Sequence, residues 1–256
     1  MPVAADYALV FVLLILGTVA EYLWFWPRFR ASVASGDPKA RTRAYIKAVA
    51  AQWAFSAAAL GIWAYYGRPA SALLLPLVPG WRVVLGIALV ALMLLLTERQ
   101  LRAVRRLTQE RRAKVAARLS SVGFVLPHTI REYRWFLVLS VTAGTCEELL
   151  YRGYLPWFFA PWLGTAGSYA AVLVMFGLGH AYQGRSGALK ATAAGVVMCG
   201  IVLATGSLIP AMIIHALVDI GSGTLGYLVL RDSIEKSTEP EREPRAMSPS
   251  SASWSL

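Results

Sequence analysis

Seven apolar runs, set apart by short polar loops, leave this chain few ways to fold. They cover Tyr7–Trp26, Tyr45–Tyr66, Trp81–Thr97, Trp135–Phe159, Thr165–Tyr182, Leu189–Ala204 and Leu208–Leu230. About 20 helical residues cross the hydrocarbon of a bilayer. Inside lipid the backbone has no water to bond, so each run must satisfy its own peptide groups as a helix. The expected fold is all-α, a polytopic transmembrane bundle of about seven spans. Trp and Tyr at many of the run ends fit interfacial belts. Composition agrees: 57% of residues are hydrophobic and 15% charged, where a soluble domain carries about 25% charged residues.

The charge that is present lies mostly in loops. The chain carries a formal net charge of +11, which in a soluble protein would point to nucleic acid. Here the basic residues crowd into "PRFRASVASGDPKARTR" and "ERQLRAVRRLTQERRAKVAARLSS", while the loop from Gly67 to Gly80 holds only Arg68 between its glycines. Lys and Arg collect in cytoplasmic loops and face an anionic inner leaflet there. The chain is therefore expected to sit in a bacterial-type cytoplasmic membrane, with its N-terminus outside, its C-terminus cytoplasmic, and no nucleic-acid partner. The first apolar run has no basic stretch before it and is expected to stay as the first span.

Three regions follow. Residues 1–134 hold three spans and the basic third loop, in which Leu101, Val104, Leu107, Val115 and Leu119 recur at roughly helical spacing. That spacing fits a basic amphipathic helix on the inner leaflet. Residues 135–230 hold four spans. Residues 231–256 are rich in Ser, Glu and Pro, cannot bury a core, and are expected to be disordered. The two cysteines, Cys146 and Cys199, lie within apolar runs and read as small packing residues rather than a disulfide framework.

Against this background the ionisable residues at membrane depth stand out: Glu147, Glu148, Arg152, His180, His215 and Asp219. Such groups are costly in lipid and mark function by default. Glu148 and Arg152 are i,i+4 in the favourable acid-before-base order, so they can neutralise each other on one helix face. Glu147 is rotated by about 100° from Glu148 and has no partner on its own helix. His215 and Asp219 are also i,i+4, so Asp219 can orient the imidazole. Phe176 and His180 share a face, with Gly177 and Gly179 removing bulk beside the histidine. Pro210 loosens the start of the last span. Glu21 and Glu98 fall near inner span ends, within reach of the interface.

These residues form three motifs on successive spans: "EELLYR" (EExxxR), "FGLGH" (FxxxH) and "HALVD" (HxxxN/D). In this the chain resembles the CPBP family, which comprises CAAX prenyl endopeptidases of the Ras-converting type and bacteriocin-processing (Abi) proteins. The motif-bearing region spans about Trp135–Tyr227. The resemblance implies an intramembrane protease acting on a membrane-embedded or lipidated protein or peptide. It assigns Glu147 as the base that activates water, with His180 beside it. His215 and Asp219 would hold the oxyanion, and Glu148 and Arg152 would support the site. The third motif often ends in Asn, whereas here it ends in Asp219; an ionised carboxylate only accepts hydrogen bonds, so Asp219 is either protonated or an orienting group. The same residues admit two chemistries. A glutamate mechanism needs no cofactor, and Glu147, His180 and His215 could instead ligate a divalent metal such as zinc with one open position. Two other classes of function stay open on residues alone: a proton-coupled transporter using a Glu/His relay, and a non-catalytic membrane scaffold. Oligomeric state is not legible.

Overall fold

The computed structural model describes residues 1–238, with side chains through Leu230. The described residues are helical with connecting turns and contain no β-strand. Helix α1 covers Ala4–Ala34, α2 Ala40–Tyr65 and α3 Trp81–Arg105. A short α4, Gln109–Arg118, follows. The stretch Ile130–Gly179 is 50 residues long, but Gly164 breaks it with φ 64° and ψ 177°. A positive φ of this kind suits glycine, which has no Cβ to clash. The break divides the stretch into α5 (130–163) and α6 (165–179), in keeping with separate spans ending at Phe159 and starting at Thr165. A single 3-10 turn, Ala181–Gln183, leads into α7, Gly184–Thr205, and α8 follows at Leu208–Thr238.

Six of these stretches are long and apolar enough to cross a membrane, and the longest of them is the broken pair α5 and α6. The protein is an integral, multi-pass membrane protein of about seven spans. Large apolar side chains such as Ile15, Leu16, Leu92, Leu95, Val174 and Val197 are exposed on the outer surface, where lipid rather than water is the solvent. Helix α8 runs on past Leu230 to Thr238, into the stretch 231–256 expected to be disordered, because a helix already formed in the span can continue into polar sequence; residues 239–256 lie outside the described residues.

Part of the third loop takes the expected helical form. Helix α3 continues to Arg105, so Leu101 and Val104 belong to the end of a span. The separate helix α4 begins where the Thr108 hydroxyl accepts from the Arg111 N–H at 3.4 Å, a side-chain cap on an otherwise orphan donor. Loops one and three meet at one end of the bundle. There Phe29, Ala40 and Ala44 pack against Phe124 and Val125, Tyr45 donates to the Val125 carbonyl at 2.6 Å, and the Arg30 guanidinium lies 4.1 Å from the Phe124 ring centroid.

Helices α5 and α8 form the centre of the bundle, with α2 packed on α5 and α3 on α8. Gly144 explains the closeness of the central pair. A Cβ at that position would lie 2.7 Å from both the Met212 carbonyl oxygen and the Ala216 nitrogen. Only glycine lets the two backbones touch there, as small residues do at membrane helix crossings. At the opposite end from loops one and three, Asp6 is fully buried. Arg68 grips both its oxygens at 2.8 and 2.7 Å, and Tyr154 donates to it at 2.6 Å. This clasp ties the start of α1 to the second loop and to α5.

Candidate active site

The Gly144 crossing sets the site. One turn beyond it on α5 come Glu147 and Glu148, opposite His215 on α8. Immediately after Glu148 the helix widens into a π-helical turn, Leu149–Tyr154. Such turns are rare and cluster at functional sites.

Glu148 and Arg152 are buried, with side chains 0% and 1% exposed, and their nearest atoms are 3.1 Å apart. The i,i+4 pairing read from spacing is therefore present. Arg152 has further neighbours. Its guanidinium lies 4.3 Å from the Phe176 ring centroid, and a Cβ on Gly195 would sit 3.0 Å from its Nη2, so glycine on α7 makes room for the cation. Glu148 also does something its spacing did not announce. Its Oε1 accepts from His215 Nδ1 at 2.8 Å. The carboxylate that orients this imidazole is Glu148, on another helix.

His215 Nε2 then faces the remaining acids, 3.7 Å from Asp219 Oδ2 and 4.0 Å from Glu147 Oε2. Glu147 is 19% and Asp219 35% exposed at the side chain, so both are reachable while Glu148 is not. On α6, His180 Nδ1 contacts the Phe176 carbonyl at 2.9 Å. A carbonyl only accepts, so Nδ1 carries the proton, and in the neutral ring Nε2 is left with its lone pair. Asp219 interacts electrostatically with His215, Glu147, His180 and Glu148. The six residues thus form one neighbourhood: five in contact or nearly so, and His180 at its edge.

Residues 129–221 match the sequence model of the family described as type II CAAX prenyl endopeptidase Rce1-like. This stretch is similar to that family and forms the chain's Rce1-like region. It contains α5, α6, α7 and the part of α8 that bears His215 and Asp219. No curated protein and no solved structure matches the chain. The first three spans lie outside the Rce1-like region, yet α1 and α2 supply groups to its site.

None of those groups was singled out by the motifs. Gln52 on α2 donates from Nε2 to Glu147 Oε1 at 3.0 Å; beside it, Trp53 Nε1 donates to Thr142 at 3.2 Å. A glutamine at membrane depth is itself a signal, but a census of ionisable residues passes over it. Glu21 on α1 interacts electrostatically with Glu147 and His180, which puts it beside the site as well as near a span end. Helix α1 also holds the turn that carries His180. Tyr22 donates to the Leu178 carbonyl at 2.9 Å, Arg30 to the Tyr182 carbonyl at 2.6 Å, and the Trp26 and Tyr182 rings stack with centroids 3.8 Å apart. Of the two glycines before His180, Gly177 packs directly on Thr192 of α7, whereas Gly179 has open space around it.

The zinc alternative requires Glu147, His180 and His215 to converge. Among the described residues no three His, Cys, Asp or Glu side chains are grouped so as to hold a metal ion. His180 sits at the edge of this neighbourhood rather than beside Glu147 and His215, so the three side chains as arranged do not converge on one ion. Cys146 and Cys199 are both buried and free, in keeping with a packing role.

Proposed function

We propose that this protein is an intramembrane endopeptidase that uses Glu147 to activate water against a peptide bond of a membrane-associated protein or peptide. The observation that carries the proposal is the asymmetric treatment of the paired acids. Glu148 is sealed between Arg152 and His215, while Glu147 stays accessible and faces the free edge of His215. Environments that separate two carboxylates in this way assign them different tasks.

In the proposed reaction Glu147 takes a proton from water as the water oxygen bonds to the scissile carbonyl carbon. The carbonyl electrons move onto oxygen. His215 carries both ring protons, giving Nδ1–H to Glu148 and Nε2–H to the oxyanion, an electrostatic contribution made where charge develops. Asp219, as a carboxylate, steadies the imidazolium rather than donating to the oxyanion. When the tetrahedral intermediate collapses, the C–N bond breaks. The leaving nitrogen receives the proton held by Glu147, directly or by relay through His180 Nε2. This route needs no cofactor.

The proposed substrate is membrane-embedded or lipidated, with a prenylated or CAAX-like C-terminus as the specific form. The proposed placement has loops one and three on the cytoplasmic side against anionic lipid and the N-terminus outside, because those two basic loops share one end of the bundle. The His180 turn lies at that same end, held by Arg30, so the site would open toward the cytoplasmic half. The test compares peptides in membranes carrying the wild type and Glu147→Gln. Products present only with the wild type, and persisting under strong chelation, are expected; full cleavage by Glu147→Gln overturns the assignment.

A further inference from the structure

From the hydrogen bonding of Gln52 we infer a further catalytic residue outside the Rce1-like region: Gln52 holds the attacking water jointly with Glu147. The inference rests on the endopeptidase reading above.

Gln52 lies on α2, and its carboxamide is used on one side only. Nε2 donates to Glu147 Oε1 at 3.0 Å, while Oε1 is a buried acceptor with no hydrogen-bond partner among the protein groups. The orientation of the amide is fixed by chemistry. Glu147 as a base accepts only, so the NH₂ must face it and the carbonyl must face away. A buried acceptor left alone is costly, and native structures pair nearly all of them with protein or water. Here the unpartnered oxygen belongs to the same planar amide that is anchored on the catalytic carboxylate, so a water held by both would satisfy it.

A water molecule that gives one hydrogen to Glu147 and the other to Gln52 Oε1 has both its O–H bonds directed into the protein. Its lone pairs then face outward, toward the scissile carbon. The hydrogen given to Glu147 is the one that transfers. The hydrogen given to Gln52 stays on oxygen as the new C–O bond forms, so Gln52 itself neither gains nor loses a proton. Neighbouring groups support the geometry. The Trp53–Thr142 bond fixes α2 against α5 next to Gln52, and His215 closes on the other oxygen of Glu147.

The test uses the full chain in lipid, with a lipidated peptide substrate and a non-cleavable analogue. Gln52→Met keeps the length and removes both polar atoms. It should bind the analogue with wild-type stoichiometry and affinity, keep KM, and lose kcat by about a hundred-fold, the scale of misplacing one reacting group. Gln52→Lys keeps a donor for Glu147 but has no acceptor, and should be as slow as Gln52→Met. Combining Gln52→Met with Glu147→Gln should be no slower than Glu147→Gln alone, because the two residues act as a unit. The inference is overturned if Gln52→Met keeps kcat, if it loses analogue binding along with kcat, or if Gln52→Lys restores the rate. If Glu147→Gln itself cleaves normally, the endopeptidase reading has failed rather than the role of Gln52 within it.

Discussion

Substituting Gly144 by alanine probes how tightly the site depends on the contact between α5 and α8. The new Cβ would lie 2.7 Å from two backbone atoms of α8, Met212 O and Ala216 N, and 2.9 Å from Ala216 Cβ. Backbone cannot swing aside as a side chain can. Restoring ordinary contact at 3.4 Å requires the helices to part by about 0.7 Å. One turn along the same interface, Glu148 and His215 are 2.8 Å apart. The same displacement carries them to about 3.5 Å, where a hydrogen bond is nearly lost. His215 is then released from its orienting carboxylate. Overpacking of this kind is worth about 1–3 kcal/mol of stability, so the protein should still fold. A misplacement near 1 Å lowers rate by about a hundred-fold. Expected for Gly144→Ala is therefore a loss of kcat of about ten- to a hundred-fold per folded molecule, with a modest drop in melting temperature. Gly200, whose Cβ would meet nothing within 4 Å, serves as the control, and Gly200→Ala should behave as wild type. A folded Gly144→Ala protein with unchanged kcat would refute the reasoning that backbone contact sets the catalytic geometry.

Other consequences follow from separate parts of the molecule. Arg152→Met leaves the buried Glu148 with His215 as its one remaining charged neighbour and should destabilise by about 3–5 kcal/mol; a melting temperature equal to wild type would mean the pair is not a buried unit. Asp6→Asn weakens the clasp to Arg68 and Tyr154, and should lower thermal stability by about 2–5 kcal/mol while leaving kcat of the folded protein near normal. Trp26→Ala should lower kcat by loosening the His180 turn, with Trp26→Phe largely restoring it; equal loss in both variants would speak against stacking on Tyr182 as the cause.

How far the fold was legible follows from what hydropathy records. The spans were readable because length and apolarity are local properties, and the division near Gly164 was readable because the apolar stretch Trp135–Tyr182 is too long for one crossing. The end of α8 was not, since helix continuation past the bilayer leaves no apolar trace. At the site, the Glu148–Arg152 pair was legible because i,i+4 spacing fixes it within one helix. The partner of His215 was not. Asp219 was the intrahelical choice, but the Gly144 crossing brings Glu148 closer, and only tertiary packing decides between them. Gln52 and Trp26 were hidden for a different reason: an amide and an aromatic ring look unremarkable in a span until a neighbour on another helix gives them a role. Glu21 was read as an interfacial residue because its height in the membrane was visible and its facing was not.

The central claim is that Glu147 delivers water to a peptide bond, and isotope labelling tests it directly. Purified protein in lipid, given a lipidated peptide in ¹⁸O-enriched water, should release a fragment whose new C-terminal carboxyl carries one ¹⁸O, with no such product from Glu147→Gln. Labelled product forming at the wild-type rate with Glu147→Gln would contradict the account.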